Sequence, residues 1–310
     1  MEIIILIGAL ALTLIGVKFF QNLYFKNNII DKIIDRSSHK ERAARSGGIT
    51  IFSTIFFISL ICYFLGIEIY DFKILIPLSI LLFIGIYDDI QNIDFKLKFV
   101  FQIIAAKIMI DNGLVIDNMH GVLGIYELNR IVSQLITIFL IVAIINSINF
   151  IDGIDGLAVS VVGLFIILYE FLSIRETSYS FLSIIIIASF IPILIFNFKR
   201  KDKVFLGDSG SLFLGGLVSI YVMNILSANY LIKPEYDLNK ILFVFSILVY
   251  PIIDMSRVII LRIMKKKSPF LADKNHIHHF LLDILNKHSL VVSTVVTISL
   301  VNFIVFHLIF

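Results

Sequence analysis

Apolar positions are gathered into ten long runs separated by polar connections, at residues 3–20, 49–65, 72–87, 97–110, 131–148, 157–172, 181–198, 212–226, 241–263 and 290–310. A helix that crosses a bilayer takes about 20 mostly apolar residues. The pattern therefore predicts an all-α polytopic membrane protein with about ten transmembrane helices. The third and fourth runs are short and would also suit buried half-spans. The first run has neither a basic leader nor a small-residue cleavage site, and another span follows, so it reads as a retained helix rather than a signal peptide. No internal repeat, low-complexity tract or second domain stands out, and residues 1–310 read as a single integral-membrane domain.

Composition narrows the class further. With 59% hydrophobic and 16% charged residues and a mean hydropathy of +0.99, the chain has too little polar surface for a soluble enzyme, and it has the opposite of a disordered composition. Its one cysteine, Cys62, rules out an intrachain disulfide and a cysteine-based zinc site. A net charge of +3 is too small to argue for nucleic acid, and none is expected as a partner. The placement of the cations says more. Most of the 26 lysines and arginines lie in connections that follow odd-numbered runs. The positive-inside rule puts those connections in the cytoplasm and both termini outside, which requires an even number of spans. With no tryptophan, the 11 tyrosines are left as interfacial anchors. The external connection 112–130 holds Gly113, Gly121 and Gly124 and suits a small hairpin.

The chemistry-bearing residues share the basic side. Asp88 and Asp89 close the third run, where two adjacent carboxylates oppose the helix dipole and each other. At about 6 Å and an effective dielectric of 20 their repulsion is roughly 3 kcal/mol, so a cation such as Lys96 or Lys98 should compensate unless the pair is simply solvated. After the fifth run, Asn146, Asn149, Asp152 and Asp155 recur every three residues and would form one polar stripe if helical. That connection contains no lysine or arginine. After the seventh run, Lys203 to Ser211 ends in Gly-Asp-Ser-Gly-Ser. Asp208, Ser209 or Ser211 could cap the next helix, or the helix start could offer free amides to an anion while Asp208 holds magnesium. After the ninth run come Arg262, Lys265 to Lys267, and His276, His278 and His279. Beside a basic stretch these imidazoles suit phosphate oxygens better than zinc, since no Cys or matching spacing is present. Asp254 and Arg257 read as an intrahelical ion pair. The basic stretch from Lys18 to Arg45 reads as a general headgroup-facing patch. Acids for a divalent metal, polar groups for a nucleotide and cations for phosphates at one membrane surface suit phosphoryl transfer between a soluble nucleotide and a lipid.

At these residues the chain resembles the polyprenyl-phosphate N-acetylhexosamine-1-phosphate transferase family. His39 and Arg45-Ser46-Gly47-Gly48 are similar to its first-loop motif, and Asp88-Asp89 with Lys98 and Gln102 to its acidic second-loop signature. Asn146 to Leu157 is a close match to Asn-x-x-Asn-x-x-Asp-Gly-x-Asp-Gly-Leu. Lys203 to Ser211 resembles Lys-Val-Phe-x-Gly-Asp-x-Gly-Ser, and His276 to His279 resembles the His-x-His-His of the branch that uses simple UDP-N-acetylhexosamines. The resemblance implies a ten-helix fold in the plasma (inner) membrane with a cytoplasmic active site. It implies transfer of a sugar-1-phosphate from a UDP-sugar to undecaprenyl phosphate, releasing UMP and starting a lipid-linked cell-surface glycan such as O-antigen. It further implies Mg2+, or alternatively Mn2+, at Asp208 with Asp89 near the metal. Asp88, Asp89 and Lys98 become the catalytic candidates. Arg45, Asn149, Asp152, Asp155, His276, His278 and His279 become the substrate-binding candidates. A homodimer is a further expectation. Two readings compete: a transporter or flippase for a phosphorylated or lipid-linked substrate, and a zinc-dependent membrane hydrolase built on the three histidines.

Overall fold

The computed structural model describes residues 1–31, 42–119, 121, 124–173, 177–226, 239–269 and 275–309. Each apolar run folds as an α-helix, because a helix satisfies its backbone polar groups internally where water is absent. In chain order the helices are α1 Glu2–Lys26, α2 Gly47–Phe64, α3 Leu75–Gln91, α4 Phe95–Asp111, α5 Arg130–Ile151, α6 Leu157–Leu172, α7 Ser180–Asn197, α8 Gly207–Leu226, α9 Asn239–Met264, α10 Ile277–Leu285 and α11 His288–Ile309, of which α10 is a short helix outside the ten runs. The protein is an α-helical polytopic membrane protein. Eight helices among the described residues are long and apolar enough to cross a bilayer. The third run is not short, because a 3-10 turn at Phe72–Ile74 extends α3 to a 20-residue span, Phe72–Gln91. Of the helices formed by the ten runs, the two outside these eight are α4, with 17 residues and Lys96, Lys98 and Lys107 along it, and α6, with 16.

The bundle is built around α8, which is buried almost throughout and packs against α2, α3, α5, α6 and α9. Membrane helices gain little from hydrophobic burial against one another, so close approach through small residues and hydroxyl hydrogen bonds holds them together. Two glycines allow the closest contacts. A Cβ on Gly48 of α2 would lie 2.3 Å from Gly210 Cα, and one on Gly85 of α3 would lie 2.3 Å from Ser209 Cα. Away from this point, Thr13 of α1 bonds Thr54 of α2 at 3.0 Å and Ser189 of α7 at 3.1 Å.

Two connections on one side of the bundle are zipped together. The two-residue strands β1 (Ala43–Ala44) and β2 (Lys203–Val204) pair in parallel, and the Gly47 and Gly48 amides continue the ladder onto the Phe205 and Leu206 carbonyls. This brings the start of α2 against the start of α8. On the other side, the Met119 amide bonds the Tyr126 carbonyl and the Leu128 amide bonds the Asp117 carbonyl, the antiparallel pairing expected of a small hairpin.

Gly85→Ala should lower the unfolding free energy by about 2 kcal/mol or more, because the contact is backbone on backbone and has no side chain to move aside. Thermal unfolding of the purified protein in detergent checks this. An unchanged melting temperature would mean that α3 and α8 are not so closely packed.

Candidate active site

Five connections line one cavity of about 1080 Å³: those after α1, α3, α5, α7 and α9. They are the connections that follow the odd-numbered runs, four of them basic, and all five lie on one side of the bundle. The catalytic, substrate-binding and metal candidates all border the cavity: Arg45, Asp88, Asp89, Lys98, Asn149, Asp152, Asp155, Asp208, His276, His278 and His279. His39 of the first-loop motif lies outside the described residues.

The compensating cation expected for the acid pair is Lys98, whose Nζ donates to Asp88 Oδ2 at 2.8 Å from the first turns of α4. Asp89 is neutralised differently. Its side chain has no exposed surface; Oδ1 accepts the Asp208 amide at 2.9 Å and Oδ2 the Ser209 amide at 3.0 Å, while Arg45 Nη1 stands 3.5 Å away. The α8 start thus gives two of its amides to Asp89 rather than leaving them free for a ligand. Gly207, at φ +74°, makes room for this arrangement, since a Cβ there would lie 2.6 Å from Asp89 Oδ2. Arg45 is itself held by Asp31, which accepts from its Nε at 3.1 Å and from its Nη2. Asp31 was not singled out from the sequence; no spacing rule joins it to a partner 14 residues away.

Asp88 and Asp208 lie within hydrogen-bond reach of each other. Asn149 donates to Asp208 Oδ1 at 2.6 Å and to the Ser211 hydroxyl at 2.8 Å, which places it as the residue that orients Asp208. Two like carboxylates facing one another across a cavity need a shared proton or a cation, and an all-oxygen donor set fits Mg2+. Asp89, with both oxygens engaged by amides, is less available for that purpose than Asp88.

The polar stripe after the fifth run is only partly helical. Asn146 and Asn149 lie on α5, Asp152 is its C-cap residue, and Gly153 and the positive-φ Gly156 turn the chain away before α6. Asp155 leaves the stripe and pairs with Lys203 of β2 and with His288 at the start of α11, whose Nδ1 is 3.1 Å away. The cation missing from the local sequence therefore comes from another connection. Burial alone would raise the Asp155 carboxyl; hydrogen bonds from His288 and Lys203 outweigh it and hold the group below the usual carboxylate range. Asp152 is shifted the other way, well above that range, by burial and by the nearby Asp208, Asp89 and Asp155. His288 carried no signal in the sequence beyond its residue type.

On the far wall, burial and the neighbouring His279 and His276 push the His278 imidazole down to about 3. It is a neutral partner, and its Nε2 has no hydrogen-bond partner among the described residues. The cation at this end is Arg262, which borders the cavity over the Phe150 ring at 5.4 Å.

Fold and site together define an integral membrane protein whose one-sided cavity combines clustered acids with phosphate-matching cations. The family model described as glycosyl transferase family 4 matches residues 72–226, and the chain belongs to that family. A Bacillus subtilis protein named "Probable undecaprenyl-phosphate N-acetylglucosaminyl 1-phosphate transferase" is 34% identical over 97% of this chain and 82% of its own length. Proteins named undecaprenyl-phosphate alpha-N-acetylglucosaminyl 1-phosphate transferase are similar as well. The one from Haemophilus influenzae is 33% identical over 82% of this chain and 72% of its own length. The one from Salmonella typhi is 28% identical over 89% and 75%. The family agrees with the resemblance read from the loop motifs.

Because the Asp155 carboxyl is held low, its ion pair stabilises the fold fully above the ordinary carboxylate range and ceases to do so as pH falls through the lowered value. Asp155→Asn should cost about 3 kcal/mol at neutral pH. The difference in melting temperature from the wild type should shrink below roughly pH 4. A difference independent of pH would contradict the pairing.

Proposed function

We propose that the chain transfers an N-acetylhexosamine-1-phosphate from a UDP-sugar to undecaprenyl phosphate at the cytoplasmic face of the plasma membrane, releasing UMP. UDP-N-acetylglucosamine is the donor that the relatives' names favour. The observation that carries this reading is the convergence of Asp88, Asp208, Lys98, Arg45 and Arg262 on one cavity from separate connections of the same side. A soluble nucleotide and a lipid phosphate can meet there while the lipid stays in the bilayer. The lysines and arginines of these connections support a cytoplasmic side, with ten spans and both termini outside, by the positive-inside rule. This counts α4 and α6 as spans despite their length.

In the reaction a lipid phosphate oxygen attacks the β-phosphorus of the UDP-sugar, the bond from that phosphorus to the bridging oxygen breaks, and UMP leaves. Lys98 holds the acceptor phosphate beside Asp88, which takes up its proton if it arrives protonated. Asn149 keeps Asp208 aimed into the cavity, and Asp89 fixes the α8 start against Arg45. Arg45 and Arg262 meet phosphate charge as it shifts toward the departing UMP. The turn from Asp152 to Asp155 and the His276 to His279 segment form the nucleotide end. Such catalysis is mainly positioning and charge neutralisation. A Mg2+ ion held by Asp208 with Asp88 would take up diphosphate charge when bound. The charges cluster at one edge of the bundle rather than at its midplane, which disfavours a transporter.

Purified protein given undecaprenyl phosphate and a panel of UDP-N-acetylhexosamines should release UMP. Chelation of divalent ions should stop it, and Asp208→Ala should lower turnover at least ~100-fold. Near-normal turnover after either treatment would refute the metal assignment. Substrate flux in proteoliposomes without UMP release would favour a transporter.

A further inference from the structure

Asp254 of α9 read from the sequence as half of an intrahelical pair with Arg257, and that contact exists at 3.3 Å. Its stronger bonds go elsewhere. Asp254 Oδ2 accepts from His276 Nδ1 at 2.7 Å, and Oδ1 accepts the Ile277 amide at 2.7 Å. Ile277 opens α10, and His276, in the N-cap position, makes no side-chain cap bond. Asp254 therefore supplies from another helix the cap that α10 lacks. Asp254 has no exposed surface and does not border the cavity.

The bond to His276 fixes more than a helix end. With the Nδ1 proton given to Asp254, the lone pair of His276 is left on Nε2, which faces Arg262 Nη2 at 3.5 Å. The same ring stacks on His278 with centroids 5.2 Å apart and planes 12° from parallel. His278 in turn aims its unpartnered Nε2 at Gly153, where a Cβ would lie 2.7 Å from it. The Phe150 ring supports both neighbours, edge-on to His276 and beneath Arg262.

We propose that Asp254 is a positioning residue for the nucleotide end of the cavity: by setting the tautomer and plane of His276, it holds Arg262 over Phe150 and His278 against the Asp152–Asp155 turn. The proposal rests on the transferase reading. Asp254, His276 and His278 could also be taken for a metal centre, since their ligating atoms lie within 4.8 Å of one another. Arg257 and Arg262 flank that point, however, and His278 Nδ1 faces the Tyr250 hydroxyl at 3.3 Å. Two cations beside it favour a proton over a metal ion.

The test compares full-length Asp254→Asn, His276→Ala and the double variant. Asparagine keeps the acceptor for the Ile277 amide but can present N–H, rather than a lone pair, to His276. Asp254→Asn is expected to raise KM for UDP-N-acetylglucosamine about tenfold and to leave KM for undecaprenyl phosphate unchanged. Equilibrium binding of UDP-N-acetylglucosamine without acceptor should weaken equally, and the double variant should bind no more weakly than His276→Ala. Unchanged nucleotide affinity, additive losses, or stoichiometric zinc that disappears in Asp254→Asn would each overturn the proposal. A wild type that binds the UDP-sugar but releases no UMP would refute the transferase reading and leave the binding comparison decisive. A wild type that binds no UDP-sugar would overturn both.

Discussion

The site depends on one buried carboxylate. Asp89 sits in the last turn of α3, where the dipole of its own helix opposes a negative charge, and it is shielded from water. The start of α8 compensates: two amides at its positive end bond the carboxylate directly, with Arg45 alongside. The end of one helix is thereby locked to the beginning of another, provided that Gly85 and Gly207 carry no side chain. Asp88, one residue before Asp89, and Asp208, whose own amide makes one of the two bonds, are then brought face to face by the same lock.

Once that contact is made, the charges of the cavity sort themselves. Asp155 is balanced by Lys203 and His288 and acts as a strut between the α5–α6 turn, β2 and α11. Asp89 is balanced by amides and Arg45. Asp88 has Lys98, yet it still confronts Asp208. The acids fall into two groups, those that hold the connections together and those that face the cavity with charge to share. Only the second group can serve an incoming diphosphate and its counter-ion. Asp254 belongs with the first group, one layer behind the histidines.

Much of this was legible in the chain. The apolar runs placed the helices because backbone groups in lipid have few other ways to be satisfied. The adjacent Asp88 and Asp89 implied a nearby cation, and Lys98 is that cation. The spacing from Asn146 to Asp152 marked one face of α5. Helical spacing could not show that Gly153 and Gly156 end the regularity before Asp155, nor that a lysine 48 residues later neutralises it. Asp31, His288 and the true partners of Asp254 were hidden for the same reason. Their roles arise only when separate connections close on one another, and no local pattern records such a closure.

The central claim is that Asp88 and Asp208, from different connections, act as one centre. A double-mutant cycle on the rate of UMP release from UDP-N-acetylglucosamine tests it, using Asp88→Asn, Asp208→Asn and the combined variant. If they form one centre, the combined variant should be no slower than the worse single variant. Losses that multiply independently would show that the two carboxylates work apart, and the account would fail.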